Sequence, residues 1–573
     1  MIVVVAPPAR ARGSGGARQA LVATAQVRLM ILSLLFGFGS LVVIGKLALL
    51  ALWAEPARAR DFAATLVPPR GDIVDRNGSP LARSIDAWAI AVHPNQVIGD
   101  RGALAQKLAE MFPEKTAGSY YALLNSGSNF AWIKRRALPE EVNAVNALGE
   151  PAIEFQREPE RLYPQSDMAA HILGYLNDKG RGVSGMEKVL DAQLMDPEQR
   201  GKPAVLSIDS RVQAALENEL GNAMTVFQAR GAAGVILDVS TGEVMAMVSL
   251  PSFNPNKLGA IPPRNNVTQS VYELGSTFKP IAVAAAIESG VITSMSRRFD
   301  ATQPIQVGRF KIRDDPGDEQ FRWLNIPETL IYSSNIATAR IADEIGAARL
   351  QDIFKQLGFG ERPAIELMDN ARPLWPSFWA RTTVMTTAYG HGIAVTPLHL
   401  ASAYATMVNG GIARPATLFK VEPGKAVPGK RVLSEETSYR MRQLLRLIVL
   451  RGTGRNGEAK GYRLGGKTGT AEAAAGGGYD KSRNVSTFAV AFPIDAPRYV
   501  MLAMLDSPKP TAQVRRTTAA WTAAPVVARV IARTGTILGV TPDETRDIDV
   551  SELIPLIWTG PKGTKPEAKK AAE

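Results

Sequence analysis

The run from Leu29 to Trp53 restricts what this chain can fold into more than any other feature of its sequence. Leu29 to Gly45 is uncharged and mostly apolar, and the apolar run resumes after Lys46. Because about 20 apolar residues cross the hydrocarbon core of a bilayer, this stretch predicts one tilted transmembrane helix. Lys46 can extend its ammonium toward the nearer interface, where Trp53 is also favoured.

The residues that flank the span indicate its orientation. Residues 1–28 contain four arginines and no acidic residue, and glycine and alanine are frequent, which predicts a disordered cytoplasmic tail. Arg58 and Arg60 follow the span, so the charge bias is modest. A cleaved signal peptide is the alternative, with Ala57-Arg58-Ala59 as its small-x-small site. The long leader and the long apolar run favour an uncleaved anchor.

Composition excludes several kinds of site. The chain has 573 residues, enough for two or three domains, and no cysteine, so disulfides, thiolate metal sites and cysteine nucleophiles are excluded. None of the four histidines pairs with another at a zinc-ligand spacing, so no metal site is predicted. The net charge of +12 fits attraction to an anionic membrane surface or an acidic polymer. Without a basic stripe interleaved with aromatic residues, nucleic-acid binding is not expected.

Five segments, most of them apolar, predict the strands of one sheet. They are Gly234–Asp238, Val244–Val248, Leu464–Ala473, Val485–Phe492 and Tyr499–Leu505. Helical patterns with Gly- and Pro-rich breaks fill residues 325–411 between them. This order predicts an α+β domain in which helices cover an antiparallel sheet.

The region before that domain, residues 64–225, contains no obvious reactive cluster. Asn77-Gly78 is a hairpin turn signal between two short apolar pieces, and residues 103–148 read as helical pieces. We expect an elongated α+β module with a spacer or interaction role. Residues 559–573, which end in a Lys-, Ala- and Glu-rich run, predict a flexible tail.

A serine nucleophile is suggested by the stretch Tyr272–Lys279. Ser276 precedes Lys279 by three residues at the start of an apolar run, so that the hydroxyl and the ammonium share one helical face. A serine needs a base within hydrogen-bond reach, and a lysine serves as that base only if burial or a neighbouring cation lowers its pKa. The apolar helix start supplies such burial.

Two further pieces complete the pattern. Tyr332-Ser333-Ser334-Asn335 lies in a predicted loop between helices, and Gly466-Lys467-Thr468-Gly469-Thr470 heads a predicted strand. Each piece alone is common. Together they are much more specific, because Ser276 to Lys279 is the only Ser-x-x-Lys in the chain and each piece has a suitable context.

With these three pieces the chain resembles the penicillin-binding proteins and the serine β-lactamases. Six segments are similar to class B penicillin-binding proteins and together cover most of residues 65–540: Arg70–Ala82, Arg161–Pro164, Gly182–Lys188, Arg264–Lys279, Tyr389–Gly411 and Gly465–Ala471. The resemblance implies the penicillin-binding transpeptidase fold, with a five-stranded antiparallel sheet covered by helices. Tyr272-Glu273 favours the division-specific branch over the elongation branch. Leu274 replaces a proline that is common in the family.

The resemblance implies a domain order along the chain. A cytoplasmic tail (1–28) and a transmembrane helix (29–53) precede a pedestal domain of the dimerisation type (64–225). The transpeptidase domain (226–558) and the flexible tail (559–573) follow.

The resemblance also implies the roles of the catalytic residues. Ser276 would attack the carbonyl of a D-alanyl-D-alanine bond in a peptidoglycan stem peptide. Lys279, largely neutral beside Lys467, would accept the proton, and Ser333 would relay a proton to the leaving amine. Asn335 would hold Lys279 and the substrate amide, while Lys467 would add positive potential.

The strand residues are implied to bind the substrate. Thr468 and Thr470 would hydrogen-bond the terminal carboxylate, and Gly469 would let the substrate backbone lie against the strand. Backbone N–H groups of Ser276 and Thr470 would form the oxyanion hole. An amine from a neighbouring stem peptide would then attack the acyl-enzyme, whereas a β-lactam would acylate the same serine and stay.

The expected location and partners follow from the same resemblance. It implies a single-pass protein of the inner membrane with a periplasmic catalytic domain, a polytopic glycan polymerase and other division proteins as partners, and no metal or cofactor. Three alternatives remain open: an elongation-type transpeptidase, a membrane-anchored β-lactamase, and a β-lactam sensor or inactive scaffold. No deacylating base can be assigned, and a single span is short for a sensor.

Overall fold

The computed structural model describes residues 15–53, 70–259, 261–308, 310–425, 427–475 and 478–560. The chain divides into two compact units, Met1–Pro68 and Pro69–Glu573. The possible cleavage site around Arg58 lies outside the described residues, as does most of the predicted C-terminal tail.

The first unit contributes helix α1 (Gly15–Trp53), which contains a 28-residue apolar segment, Val22–Leu49, long enough to cross a membrane. None of that segment is buried inside the protein. The apolar helix is therefore present as predicted. It begins at Gly15, however, so the prediction of disorder was wrong for residues 15–28. Alanine, leucine, glutamine and arginine dominate this stretch, and all four are strong helix formers that extend the apolar helix.

The second unit contains fifteen described helices and sixteen described strands. The helices are α2 (Arg101–Met111), α3 (Ala117–Leu124), α4 (Pro139–Asn146), α5 (Ala170–Leu173), α6 (Gly185–Val189), α7 (Asp191–Met195), α8 (Ser210–Val226), α9 (Lys279–Glu288), α10 (Ile326–Ile331), α11 (Asn335–Ile345), α12 (Ala347–Gln356), α13 (Arg381–Thr387), α14 (Pro397–Val408), α15 (Glu435–Arg451) and α16 (Ala523–Thr534). The strands are β1 (Ile73–Val74), β2 (Pro80–Val92), β3 (Ala131–Ala137), β4 (Ile153–Leu162), β5 (Ala204–Val205), β6 (Gly231–Asp238), β7 (Val244–Leu250), β8 (Arg298–Asp300), β9 (Ile305–Val307), β10 (Phe310–Ile312), β11 (Trp323–Asn325), β12 (Ile412–Ala413), β13 (Lys430–Arg431), β14 (Gly465–Ala475), β15 (Gly478–Phe492) and β16 (Tyr499–Asp506).

The central sheet has the strand order β14-β15-β16-β6-β7, and every neighbouring pair is antiparallel. These are the five strands predicted from the apolar segments, so the predicted sheet is confirmed. Four of the segments are rich in apolar residues because both faces of the sheet are buried there, whereas Leu464–Ala473 carries the polar residues of the Lys-Thr-Gly piece. Along β6, for example, Val235 and Leu237 join one core cluster whereas Ile236 joins the other.

Helices cover each face of the sheet. Apolar side chains of α8 and α16 pack on one face together with Ile236 and Phe488. Helices α9, α14 and α15 contribute to the larger core on the other face. Helix α9 carries Lys279 at its first position, so the three-residue spacing from Ser276 places both residues where the helix enters this core.

A second sheet lies in the N-terminal part of this unit. Its long strand β2 pairs antiparallel with β1, β3 and β4, and helices α2, α3 and α4 cover it around a separate small core. The turn at Asn77-Gly78 joins β1 to β2 as predicted, with Gly78 at φ +88°. Strand β3 was not predicted, because residues 103–148 read as helical pieces.

A buried ion cluster ties together the three N-terminal segments that carried the family resemblance. The carboxylate of Glu187, which is fully buried, accepts from Nε of Arg70 at 2.8 Å and from Nε of Arg161 at 2.7 Å. Next to it, β1 pairs in parallel with β5, the last strand before α8. Ile73 of β1 and Leu206, which follows β5, belong to the same core cluster as Phe278 of the central domain.

Candidate active site

Ser276 lies in a single 3-10 turn, Gly275–Phe278, that leads directly into α9. Gly275 has φ +54°, a conformation that strains residues with a side chain. The turn is fixed at Thr277, whose Oγ1 donates to the carbonyl of Leu274 at 2.9 Å and whose carbonyl accepts from the buried hydroxyl of Tyr404 at 2.8 Å. Ser276 itself is 9% exposed, so its hydroxyl stands at a nearly closed surface.

The turn packs directly against strand β14. A Cβ atom added to Gly469 would stand 2.5 Å from the carbonyl oxygen of Leu274 and 2.8 Å from Cγ2 of Thr277. The glycine was predicted to leave room for substrate, but the space beside it is filled by the nucleophile turn. The structure also accounts for Leu274, whose side chain is buried in the main core.

Lys279 is fully buried and points at the loop between α10 and α11. Its Nζ donates to the carbonyl oxygen of Ser333 and, at 3.0 Å, to the Oγ of the same residue. This contact, which was not predicted, places the lysine beside the serine whose relay role is expected. Among the described residues, the hydrogen bonds of the ammonium go to Ser333 and not to Ser276, and catalytic contacts of this kind often tighten only when substrate binds.

Burial lowers the pKa of Lys279 to about 8, although the negative charges of Asp315, Asp314 and Asp318 oppose the shift. The lowered pKa brings the neutral form of the base, which the predicted role requires, within reach of neutral pH. Burial also lowers the pKa of Lys467 well below its usual range, and the charge of Lys279 lowers it further. Because each ammonium disfavours the other, we infer that the pair tends to hold one positive charge rather than two.

Asn335 takes a different place from the one predicted. Its Nδ2 donates to the carbonyl of Arg313 at 3.0 Å and lies 3.3 Å from Oδ1 of Asp315. Its side chain is thus held by the segment that follows β10, and hydrogen bonds to Lys279 are not among its described contacts. Asn335 stays at the rim of the site, half-buried, where its substrate contact remains a prediction.

Lys467 and Thr468 share a partner that sequence reasoning missed. Nζ of Lys467 donates to the carbonyl of Thr468 at 2.8 Å and lies 3.4 Å from Oγ1 of Thr453. The hydroxyl of Thr468 donates to the same Thr453 oxygen at 2.7 Å. Farther along β14, Oγ1 of Thr470 accepts from the backbone N–H of Ala519 at 3.1 Å. The lysine and both threonines are therefore oriented by neighbours rather than left free.

Glu273 forms a second polar cluster beside the nucleophile turn. Its carboxylate accepts from the backbone N–H of Gly392 at 3.0 Å and from the hydroxyl of Tyr479 at 2.9 Å, and Nδ1 of His391 lies 3.6 Å away. Burial raises the pKa of Glu273, opposed by the two hydrogen bonds, and burial lowers the pKa of His391. The cluster connects the turn to the loop after α13 and to the β14–β15 hairpin.

The residues that the sequence analysis missed are not part of any motif, so their spacing in the sequence does not indicate a role in the site. Tyr404 lies 127 positions from the carbonyl that it binds, and Tyr479 lies 206 positions from Glu273. Thr453 is closer in sequence to Lys467, but it follows a helix end with no motif of its own. Clusters of His, Cys, Asp and Glu that could hold a metal ion are absent from the part of the chain that the structure describes.

Two family models match this chain. The penicillin binding protein transpeptidase domain matches residues 232–532, and the penicillin-binding protein dimerisation domain matches residues 65–202. The chain is 37% identical over 564 residues to the probable peptidoglycan D,D-transpeptidase FtsI of Caulobacter vibrioides, covering 95% of this chain and 92% of the relative. It is 30% identical over 521 residues to peptidoglycan D,D-transpeptidase FtsI of Escherichia coli K12, covering 85% and 86%.

The fold is also similar to that of solved structures. Penicillin binding protein 3 from Mycobacterium tuberculosis, solved in complex with aztreonam, superposes with a TM-score of 0.64 at 25% identity, covering 83% of this chain and 98% of that one. A peptidoglycan synthetase from Bifidobacterium adolescentis has the same fold at 21% identity, with a TM-score of 0.64 and coverage of 84% and 97%.

Proposed function

This chain belongs to the penicillin-binding protein transpeptidase family, and on that premise we propose that it is a class B peptidoglycan D,D-transpeptidase of cell division. The observation that carries the proposal is the buried Lys279. Its ammonium is held by the hydroxyl of Ser333, next to a nucleophile turn that packs on the strand of Lys467. Lys279 as general base, the Ser333 hydroxyl as relay and Lys467 as second cation thus all lie near Ser276.

The reaction begins with attack of Ser276 Oγ on the carbonyl of the D-alanyl-D-alanine bond. Neutral Lys279 accepts the hydroxyl proton, which passes through Ser333 to the departing amine of D-alanine. The product is an ester between Ser276 and the stem peptide. An amine of a neighbouring stem peptide then attacks this ester, returns the proton to the serine through the same groups, and leaves a cross-link.

The strand side of the site holds the substrate. Thr468 and Thr470 hydrogen-bond the terminal carboxylate, whose charge is balanced by the positive charge of the lysine pair. Backbone N–H groups of Ser276 and Thr470 stabilise the oxyanion. The turn and the strand that carry these groups are in contact, because an added Cβ on Gly275 would stand 3.0 Å from the carbonyl oxygen of Thr470.

The anchor sets the compartment in which the enzyme works. We propose that α1 crosses the inner membrane once, with the arginine-rich N-terminus in the cytoplasm and residues 70–560 in the periplasm. Residues 64–225 form the pedestal and residues 226–558 the transpeptidase domain. A polytopic glycan polymerase is the expected partner, because the cross-linked stem peptides are carried on nascent glycan.

Acylation by a fluorescent penicillin tests the reaction. The full chain in detergent should become labelled on Ser276, stay labelled for many minutes and release D-alanine from a stem-peptide substrate, and Ser276→Ala should abolish both signals. Rapid turnover of the drug would instead indicate a β-lactamase. Labelling without transfer to an acceptor amine would indicate a sensor.

The site of action separates division from elongation. Relatives named FtsI support the division role. A fluorescent fusion should concentrate at the septum, and depletion should give filaments. Distribution along the side wall with loss of rod shape would assign the chain to the elongation branch.

A further inference from the structure

The loop that carries Ser333 is held by a carboxylate outside the three recognised motif pieces. Asp314, 6% exposed, follows strand β10. Its Oδ1 accepts from the backbone N–H of Ile336 at 2.9 Å and from Oγ of Ser334 at 2.9 Å, while its Oδ2 lies 3.0 Å from the same hydroxyl. The carboxylate thus fixes two of the three residues that follow Ser333.

Ser333 itself adopts a conformation that needs such support. Its φ is +59°, and a residue with a side chain is strained in this left-handed region unless its surroundings hold it there. On one side the N–H groups of Ser333 and Ser334 donate to carbonyls of the preceding helix α10, at 3.3 and 3.0 Å. On the other side Asp314 fixes Ser334 and the start of α11. Between these supports, Ser333 turns both its carbonyl and its hydroxyl toward Lys279.

The support is itself anchored. Ile312, two residues before Asp314, packs in a small buried cluster with Ala339 of α11, Met385 and Tyr389. The neighbours of Asp314 add to the contact, because Asn335 donates to Arg313 and Asp315. The segment therefore binds the loop through backbone, side-chain and apolar contacts together.

We propose that Asp314 is a positioning residue for the catalytic lysine, acting through the Ser333 loop. By fixing Ser334 and Ile336, it keeps Ser333 in the left-handed conformation in which two oxygens face Nζ of Lys279. The proposal rests on the proposed transpeptidase function and adds a residue to it. Asp314 touches neither Ser276 nor Lys279 in the described contacts, so its positioning effect reaches the lysine through Ser333. Its negative charge also acts on Lys279 across space, and Asp314→Asn removes that charge while it keeps the acceptor.

The geometry offers a variant that separates positioning from charge. Asparagine has the shape of aspartate, and its Oδ1 accepts hydrogen bonds, so Asp314→Asn keeps an acceptor for both Ile336 N–H and Ser334 Oγ. Asp314→Ala removes both acceptors. Asp549→Ala is the matched control, because the Asp549 carboxylate accepts from the backbone N–H of Ser551 in a local turn and has no described contact with the site.

The experiment measures the rate at which a fluorescent penicillin acylates the full chain, over a range of penicillin concentrations. It gives two quantities separately: the limiting acylation rate and the penicillin concentration at which the rate is half of that limit. Asp314→Ala should lower the limiting rate about 100-fold, because a displaced base is the costly defect, with little change in the half-saturating concentration. Asp314→Asn should stay within about threefold of the natural protein, and Asp549→Ala should equal it. Thermal unfolding of each variant reports whether it is folded.

If Asp314→Ala does not fold, Ser334→Ala replaces it. This variant deletes the hydroxyl that donates to the carboxylate and that also caps α11 by accepting from the backbone N–H of Ala337 at 3.0 Å; its limiting rate should fall about tenfold. An alanine variant that is folded and fully active overturns the proposal, as does an asparagine variant as slow as the alanine one. Labelling of the natural protein that disappears in Ser276→Ala establishes the enzyme separately. A failure at position 314 then counts against the positioning role alone.

Discussion

The carbonyl oxygen of Leu274 lies 2.5 Å from the point where a Cβ atom on Gly469 would stand. This contact joins the residue before the nucleophile turn to the substrate-binding strand. Gly469→Ala must push the turn away from β14, because the clash is with backbone and not with the end of a flexible side chain. We expect acylation by fluorescent penicillin to fall about 100-fold, the cost of a displacement near 1 Å. Gly259→Ala, where the added Cβ meets open space, should leave the rate unchanged.

The pKa of Lys279, lowered by burial to about 8, predicts the pH dependence of acylation. The base must be neutral to take the serine proton, so the rate should rise about tenfold per pH unit below 8 and level off above it. Acylation rates of the full chain, measured from about pH 6 to 9, test this rise of the rate with pH. A flat profile below pH 8 would argue against Lys279 as the base.

The same pKa shift affects stability in a defined direction. The folded protein releases the Lys279 proton near pH 8, whereas the unfolded chain keeps it until about 10.5. Between these values the unfolded state binds more protons, so this lysine makes the free energy of unfolding rise with pH. In Lys279→Met that contribution should be absent, which denaturant titrations at pH 8 and 10 would detect as a smaller increase.

Thr453 provides a test of how the substrate-binding strand is oriented. Its Oγ1 accepts from Thr468 and lies within reach of Lys467. Thr453→Val keeps the shape but removes the hydroxyl, and the loss of about 1 kcal/mol of hydrogen bonding should reduce the second-order rate of acylation roughly fivefold. The change should fall mainly on the half-saturating concentration, since Thr468 is proposed to bind the carboxylate. Thr453→Ser retains the hydroxyl and should behave as the natural protein; equal behaviour of both variants would contradict the prediction.

The buried Glu187 predicts a large loss of stability. Glu187→Gln removes the buried carboxylate that Arg70 and Arg161 share and leaves Arg70 with Asp191 as its ion-pair partner; breaking a buried pair costs about 3–5 kcal/mol. Glu158→Gln is the control, because its partner Arg135 is 50% exposed and such pairs contribute at most about 1 kcal/mol. Denaturant unfolding of the full chain compares the two. A Glu187 variant as stable as the control would show that the cluster contributes little.

The central sheet could be predicted from the sequence because most of its strands are buried on both faces. Such strands need apolar residues at nearly every position, as in the run Gly234–Asp238. Strand β3 was not readable for the opposite reason. Only Ile133 and Ala137 are buried along it, and Lys134, Arg135 and Arg136 interrupt any strand pattern. Its conformation depends on pairing with β2, a neighbour that local sequence does not reveal.

The candidate site divides in a similar way. Ser276, Lys279 and Lys467 were found because the chemistry demands these residue types in these contexts. Asp314, Thr453 and Tyr404 are common residue types that reach the site only through tertiary packing, so their positions could not be read from spacing. The placement of Asn335 was missed because its partners lie on the segment after β10.

The parallel pairing of β1 with β5 has a mechanical consequence. The first strand after residue 70 is hydrogen-bonded to the last strand before α8, with Ile73 opposite Ala204 and Val74 opposite Val205. The residues between β1 and β5 therefore form a long insertion whose first and last strands are hydrogen-bonded to each other. A force that pulls the chain from its N-terminal side would act in shear on the hydrogen bonds between β1 and β5. These bonds would transmit the force directly to the catalytic domain. Strands β2, β3 and β4 would carry little of it, which leaves them free to change shape or partner without disturbing the line of force.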